Sequence, residues 1–247
     1  MNETTQIAIV GEPGTGKSYA LRNLDPATTF IITPNPKHLP FKGASNKYKA
    51  CNKNNPNGNR AYCRLLVGEK NKKGEFISKG LVNWIEYINE KRPEIKTVII
   101  EDITHFFHAK TMNERFMSNA DWGKWNIFAS DVFAGIINPE LYREGLQVVH
   151  IYHSEIVERN GKQLLRILTQ GKLLNRNVLP SSYYTYMVHS QCRDIDEFPN
   201  PEDQYKFLSN GDGTHDCKTP FGLFDTLYIN NDVDMIFKKI TEFQNSI

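Results

Sequence analysis

The chain has 247 residues, 39 % of them apolar, with 30 Lys and Arg against 28 Asp and Glu and a formal charge of +2. That length can bury a large core without a disulfide framework. It contains no apolar run long enough to cross a bilayer as a helix, so no transmembrane span is expected. The near-neutral total charge says little about partners, and its distribution along the chain says more.

Gln6-Ile7-Ala8-Ile9-Val10 predicts a β-strand that begins almost at the first residue, leaving no basic and apolar leader of the secretory kind. The strand runs into Gly11-Glu12-Pro13-Gly14-Thr15-Gly16-Lys17-Ser18, and Tyr19-Ala20-Leu21-Arg22 predicts the opening of a helix. Strand, glycine-rich turn and helix is the setting in which a GxxxxGK[ST] segment holds phosphate. Glycines let backbone N–H groups curl around a β-phosphate, and the helix N-terminus faces the anion. Lys17 brings a point charge to the β and γ oxygens, and Ser18 offers its hydroxyl to Mg²⁺. Gly11 through Tyr19 are therefore the candidate nucleotide-binding residues, with ATP and Mg²⁺ as ligands.

Residues 28–33 predict a second strand, stopped by Pro34-Asn35-Pro36. From there to Lys79 the composition turns basic and poor in aliphatic runs. Residues 60–67 and 75–77 read as short strands within a basic insertion at 42–79, where tyrosines interleave with lysines and arginines. That mixture suits either a single-stranded nucleic-acid surface or a plain solvated loop region. Residues 81–91 fit an amphipathic helix with Leu81, Trp84, Ile85 and Ile88 on one face. The β-branched run at 96–100 suits a central parallel strand and ends in Glu101-Asp102. Residues 105–135 read as mostly helical.

A further core strand at 146–152 ends in His153-Ser154-Glu155, with His150 inside it as a buried, hydrogen-bonded residue. Asn160-Gly161 marks a hairpin. Residues 183–188 and 205–208 read as strands, and Asp232 as the N-cap of a terminal helix. Parallel strands with crossovers followed by antiparallel hairpins indicate an α/β fold: a mostly parallel core sheet flanked by helices, with antiparallel C-terminal edge strands. Residues 1–247 read as a single P-loop ATPase domain. Cys51, Cys63, Cys192 and Cys217 match no zinc or redox spacing and read as free thiols of a reducing compartment.

An apolar strand ending in carboxylates is the second element of P-loop chemistry: one acid holds the magnesium shell and another polarises the attacking water. Neighbouring strand residues point to opposite faces, so Glu101 and Asp102 divide these roles. Glu101 is favoured for Mg²⁺, together with Ser18, and Asp102 for orienting water, with the reverse assignment left open. His153 is a candidate γ-phosphate sensor and Glu155 an alternative general base, because parallel strand ends converge on the ligand crevice.

With these motifs in place, the chain resembles the bacteriophage RecA-like P-loop ATPases of the single-strand annealing and recombination class, within the broader AAA-type families. The likeness lies in the early P-loop, in Val98-Ile99-Ile100 ending in an acidic pair and Ile103-Thr104, in the strand ending His153-Ser154-Glu155, and in a closing segment from Asp212 to Phe224. The resemblance implies an ATP- and Mg²⁺-dependent protein of the infected bacterial cytoplasm. Such a protein assembles head to tail on single-stranded DNA beside phage replication or recombination proteins, away from any membrane. It also implies a late cation facing a neighbouring subunit's γ-phosphate, for which Lys218 stands in place and Lys172 is a second candidate. Two features depart from the family: the first acid is usually Asp rather than Glu101, and the basic insertion matches none of its motifs. A small-molecule kinase would need an arginine-rich lid, and 105–135 holds only Arg115. An assembly protein using ATP as a switch, or a DNA motor subunit, remains the alternative.

Overall fold

The computed structural model describes residues 4–66, 68, 72–73, 78–106, 135–159, 161–168, 184–194 and 196–246. β1 (Thr5–Gly11) carries Ile7 and Ile9 on one face and Ala8 and Val10 on the other, all fully buried. A strand apolar on both faces must be covered on both, which places it inside a sheet with a layer on each side. The remaining strands are β2 (Thr29–Thr33), β3 (Arg60–Tyr62), β4 (Thr97–Ile100), β5 (Gln147–Arg159), β6 (Lys162–Ile167), β7 (Tyr186–Cys192), β8 (Tyr205–Leu208) and β9 (Tyr228–Asn230). Across the sheet the order is β3-β2-β4-β5-β1-β7-β8-β9, with β6 paired to β5 outside this path. β3 through β7 run parallel along that path, and β8 and β9 add antiparallel at the edge.

α1 (Ala44–Lys47) and α3 (Pro201–Gln204) are single turns, whereas α2 (Leu81–Lys91) and α4 (Val233–Asn245) cover the two faces. Leu81, Trp84, Ile85 and Ile88 of α2 pack with Phe30, Val98 and Ile100. Val233, Ile236, Phe237 and Ile240 of α4 pack with Ile7, Ile9 and Val188 on the opposite face. Each such side chain stabilises the fold by about 1.5–3 kcal/mol on burial. Asp232 caps α4 as expected, accepting from Asp234 N at 3.0 Å and Met235 N at 3.3 Å. No described helix is long and apolar enough to cross a membrane. All four cysteines carry free thiols.

His150 has the buried, bonded character read from the sequence. It is fully buried and lies 3.1 Å from Tyr142 Oη and 2.7 Å from Tyr184 Oη, and Tyr184 in turn meets Tyr152 at 2.7 Å. Burial pushes its pKa down to about 3, so it is neutral.

Three expectations change. The helix expected after the P-loop is a short 3₁₀ turn, Tyr19–Leu21, because Pro26 restrains Asp25 and the chain must reach β2 at Thr29. β5 does not end at Tyr152. It pairs with β1 as far as Gly11–His153 and then continues against β6 from Ser154: β1 has stopped at Gly11, and the exposed edge of β5 is taken over by the hairpin. The strand expected over 60–67 shortens to β3, three residues at the sheet edge. The segments 75–77 and 107–134, including Arg115, lie outside the described residues.

Candidate nucleotide-binding site

β1 delivers the loop at its carboxyl end, and glycine is required there at two points for different reasons. A Cβ on Gly11 would sit 2.8 Å from Ser190 O, so the close approach of the loop to β7 excludes any side chain. Gly16 has φ of 91°, and a Cβ there would also meet the Tyr205 ring at 2.7 Å. β7 fastens the crest of the loop: Ser190 Oγ donates to Thr15 O at 2.6 Å, and Asn231 Nδ2 donates to Ser190 Oγ at 3.3 Å. The short turn after the loop has no macrodipole comparable to that of a long helix. Anion attraction therefore rests on the loop N–H groups and on Lys17.

Lys17 is 8 % exposed, and its ammonium donates to Gly11 O at 2.7 Å and Glu12 O at 2.6 Å. Burial pushes its pKa down to about 8, partly offset by the carboxylates of Asp102 and Glu101. A buried ammonium held by loop carbonyls gains from a polyanion placed beside it.

β4 stops at Ile100, so strand alternation does not set the two acids apart: both line the same cleft, and they differ in their partners. Ser18 Oγ donates to Glu101 Oε1, joining the P-loop to the end of β4. Glu101 is 1 % exposed, and its Oε2 is buried without a hydrogen-bond partner. A hydroxyl and an unsatisfied carboxylate oxygen are the hard donors Mg²⁺ takes, so these two residues fit that ion. Asp102 has φ of 62°, a left-handed conformation for a residue with a side chain. Its carboxylate meets His153 Nε2 at 2.9 Å, His105 Nε2 at 3.3 Å and Lys37 Nζ at 3.4 Å. Burial alone would raise its pKa. The His153 hydrogen bond and the charges of His105, His153 and Lys37 outweigh that and hold it below the ordinary carboxylate range. Asp102 is thus a firmly ionised carboxylate with three donors around it.

Lys17, Ser18, Glu101, Asp102 and His153 all line one cleft of about 350 Å³, together with Tyr19 and the loop residues Pro13, Gly14 and Gly16. Lys37 and Tyr205 in the lining, and His105 beside Asp102, are among the site residues that the sequence reading does not single out. Lys37 follows the prolines that end β2, His105 lies one helical turn after Asp102, and Tyr205 packs its ring against Gly16 and 5.6 Å from Tyr19. Position at a parallel strand end is the signal that would have found Lys37, and i,i+3 spacing from the acid would have found His105.

Two predicted residues stand apart from the cleft. Glu155 is held by Arg166 of β6 at 3.2 Å and does not line it, because β5 has already left the main sheet at that point. Lys218 is exposed on a segment bonded to β7 through Lys218 N to Met187 O at 2.9 Å, and it does not line the cleft of its own chain. Lys172 lies outside the described residues.

The P-loop strand has β7 on one side and β5 on the other, with β5 separating it from the acid-bearing β4. Together with a glycine-rich loop and lysine at the carboxyl end of β1, this defines a RecA-like P-loop NTPase fold, an architecture that binds nucleotide. No protein-family model matches the chain, and no curated protein matches it significantly in sequence. Among solved structures, the flagellar accessory protein FlaH of Methanocaldococcus jannaschii aligns over 85 % of this chain and 78 % of its own, at 13 % identity and a TM-score of 0.41. That likeness is too distant to carry any inference about what this chain does.

Proposed function

We propose that this chain binds ATP with Mg²⁺ in the cleft and hydrolyses the β–γ phosphoanhydride, and that the nucleotide state gates its assembly with a partner. The observation that carries this reading is the Ser18–Glu101 contact. It brings a P-loop hydroxyl and an unsatisfied carboxylate together across 83 residues of sequence, as a phosphate-bound magnesium requires.

In this reading the loop N–H groups and Lys17 hold the β and γ phosphates, and Ser18 and Glu101 hold the cation. When bound, Mg²⁺ neutralises phosphate charge. Asp102 is too firmly ionised to be a strong base, so it orients the attacking water rather than drawing off its proton early. His153 fixes Asp102 through Nε2, while its own backbone N–H donates to Thr104 Oγ1 at 3.1 Å. In this reading it reports a change at the γ-phosphate to β5. Lys37 supplies a cation from within the chain. Lys218, exposed outside its own cleft, is left for a neighbouring copy in a head-to-tail assembly, and single-stranded DNA is the partner the resemblance implies.

The test is steady-state phosphate release with and without Mg²⁺, with light scattering of the same samples with and without ATP. Mg²⁺-dependent release that disappears in Lys17→Ala, and a mass that rises with ATP, support the reading. Release that survives in Lys17→Ala, or a mass indifferent to nucleotide, overturns the hydrolytic or the gating part respectively.

A further inference from the structure

A second groove, of about 790 Å³, opens beyond the carboxyl ends of β2 and β3. Its wall combines Lys53, Arg64 and Lys79 with Tyr62, Trp84 and Tyr87, and no carboxylate lines it among the described residues. Such a concentration of positive charge stands out in a chain whose formal charge is only +2. Lys79 Nζ sits 4.7 Å from the Trp84 ring and 4.0 Å from that of Tyr87, so the ammonium is held over aromatic faces. The Tyr62 side chain is 42 % exposed, with the Arg60 guanidinium 5.0 Å from its ring centroid.

We propose that this groove binds single-stranded nucleic acid, with a base stacked on Tyr62 and the backbone phosphates following Lys53, Arg64 and Lys79. Flat rings interleaved with cations match a ligand whose units are a flat base and an anion, and stacking tolerates any base sequence. The inference rests on the proposed ATPase reading only for its coupling to hydrolysis.

That coupling has a short physical route. Pro34 and Pro36 form part of the groove wall, and the next residue, Lys37, reaches Asp102 at 3.4 Å and Glu101 at 3.8 Å in the nucleotide cleft. Arg60, the residue against Tyr62, donates to Lys37 O. A strand seated on Tyr62 therefore presses on the segment that sets a cation beside the two carboxylates.

The experiment is fluorescence anisotropy of a labelled oligothymidylate and a labelled oligouridylate at low salt, with ATP turnover measured in parallel and circular dichroism melts to check folding. Tyr62→Ala should weaken binding at least about fivefold, while Tyr62→Phe retains it. Arg64→Ala should lower the slope of log affinity against log salt by about 0.7. Lys42→Ala and Lys47→Ala, in the same basic segment but off the groove, should leave binding unchanged. The tighter of the two oligonucleotides identifies DNA or RNA as the source. Binding indifferent to Tyr62 and Arg64 overturns the groove assignment, and so does equal binding of a polyglutamate peptide, which would mark an acidic protein site. ATP turnover without oligonucleotide binding defeats the groove and leaves the ATPase standing. Groove-dependent binding without any turnover does the reverse.

Discussion

Binding ATP at alkaline pH should draw a proton from solution, and Lys17 is the group that takes it up. Its ammonium has a pKa of about 8 in the free protein, against an ordinary 10.5, because burial penalises the charged form. The neutral fraction is then about 0.1 at pH 7, about 0.5 at pH 8 and about 0.9 at pH 9. Phosphate oxygens beside the amine favour the charged form and return the pKa towards its ordinary value. Proton uptake on binding should therefore climb through those same fractions as pH rises. Isothermal titration calorimetry in pairs of buffers with different ionisation enthalpies reads it directly, as the slope of observed against buffer enthalpy. In Lys17→Arg the guanidinium stays charged throughout, so the slope at pH 8 and 9 should collapse. Asp102→Asn removes a carboxylate that supports the ammonium, and should move the rise in uptake to lower pH. A slope near zero at pH 9 in the unmodified protein, or the same slope in Lys17→Arg, would refute the argument. Stability follows the same linkage: the unfolded chain binds this proton more tightly, so the nucleotide-free fold gains stability as pH rises from about 8 to 10.5.

Glu101→Gln should lower Mg²⁺-dependent turnover about a hundredfold or more and raise the magnesium concentration needed for half-maximal rate, since a neutral amide is a poorer hard-cation ligand. At Asp102, where φ is 62°, Asn should be accepted by the backbone and Val should cost about 1–2 kcal/mol of stability. Both should lose turnover, and denaturant titration separates the two effects. His150 and His189 are each held neutral with pKa about 3 against an unfolded 6.5. The unfolded chain therefore binds more protons between those values, and stability should fall as pH drops from 6.5 towards 3, by up to about 1.4 kcal/mol per pH unit for each histidine. Asp232→Ala removes the α4 cap and should cost about 1 kcal/mol, seen as a Tm lower by roughly 2–4 °C.

The parts of this protein legible in its sequence are those where one local rule dominates. The apolar runs of β1 and β4, the face of α2, the Asp232 cap and the pairing of β5 with β6 each follow from periodicity or turn chemistry alone. The P-loop was legible because its glycines answer to backbone geometry. What the sequence concealed depends on distant partners. Where β5 leaves the sheet is decided by where β1 stops, 142 residues earlier by the Gly11–His153 pairing, and that removed Glu155 from the cleft. Lys37 became visible as a neighbour of Asp102 once β2 and β4 were placed side by side. The short turn after Ser18 was masked by a sequence that begins like a helix and is cut off by the need to reach β2.

The dual pairing of β5 has a mechanical consequence. A single unbroken strand is clamped on one side by seven registered pairs with β1 and leaves the sheet as one arm of a hairpin. His153 sits at the fulcrum, hydrogen-bonded through its backbone to Thr104 and paired through its ring with Asp102. The six residues from Ser154 to Arg159 extend about 20 Å beyond it. A tilt of about 5° at the fulcrum swings the far end by roughly 2 Å over that span, whereas sliding is blocked by the register with β1. A rotation of this arm would carry the exposed Ile156 with it, and it would work against the backbone bonds of Leu165 in β6 to Thr214 and Asp216, each 2.7 Å.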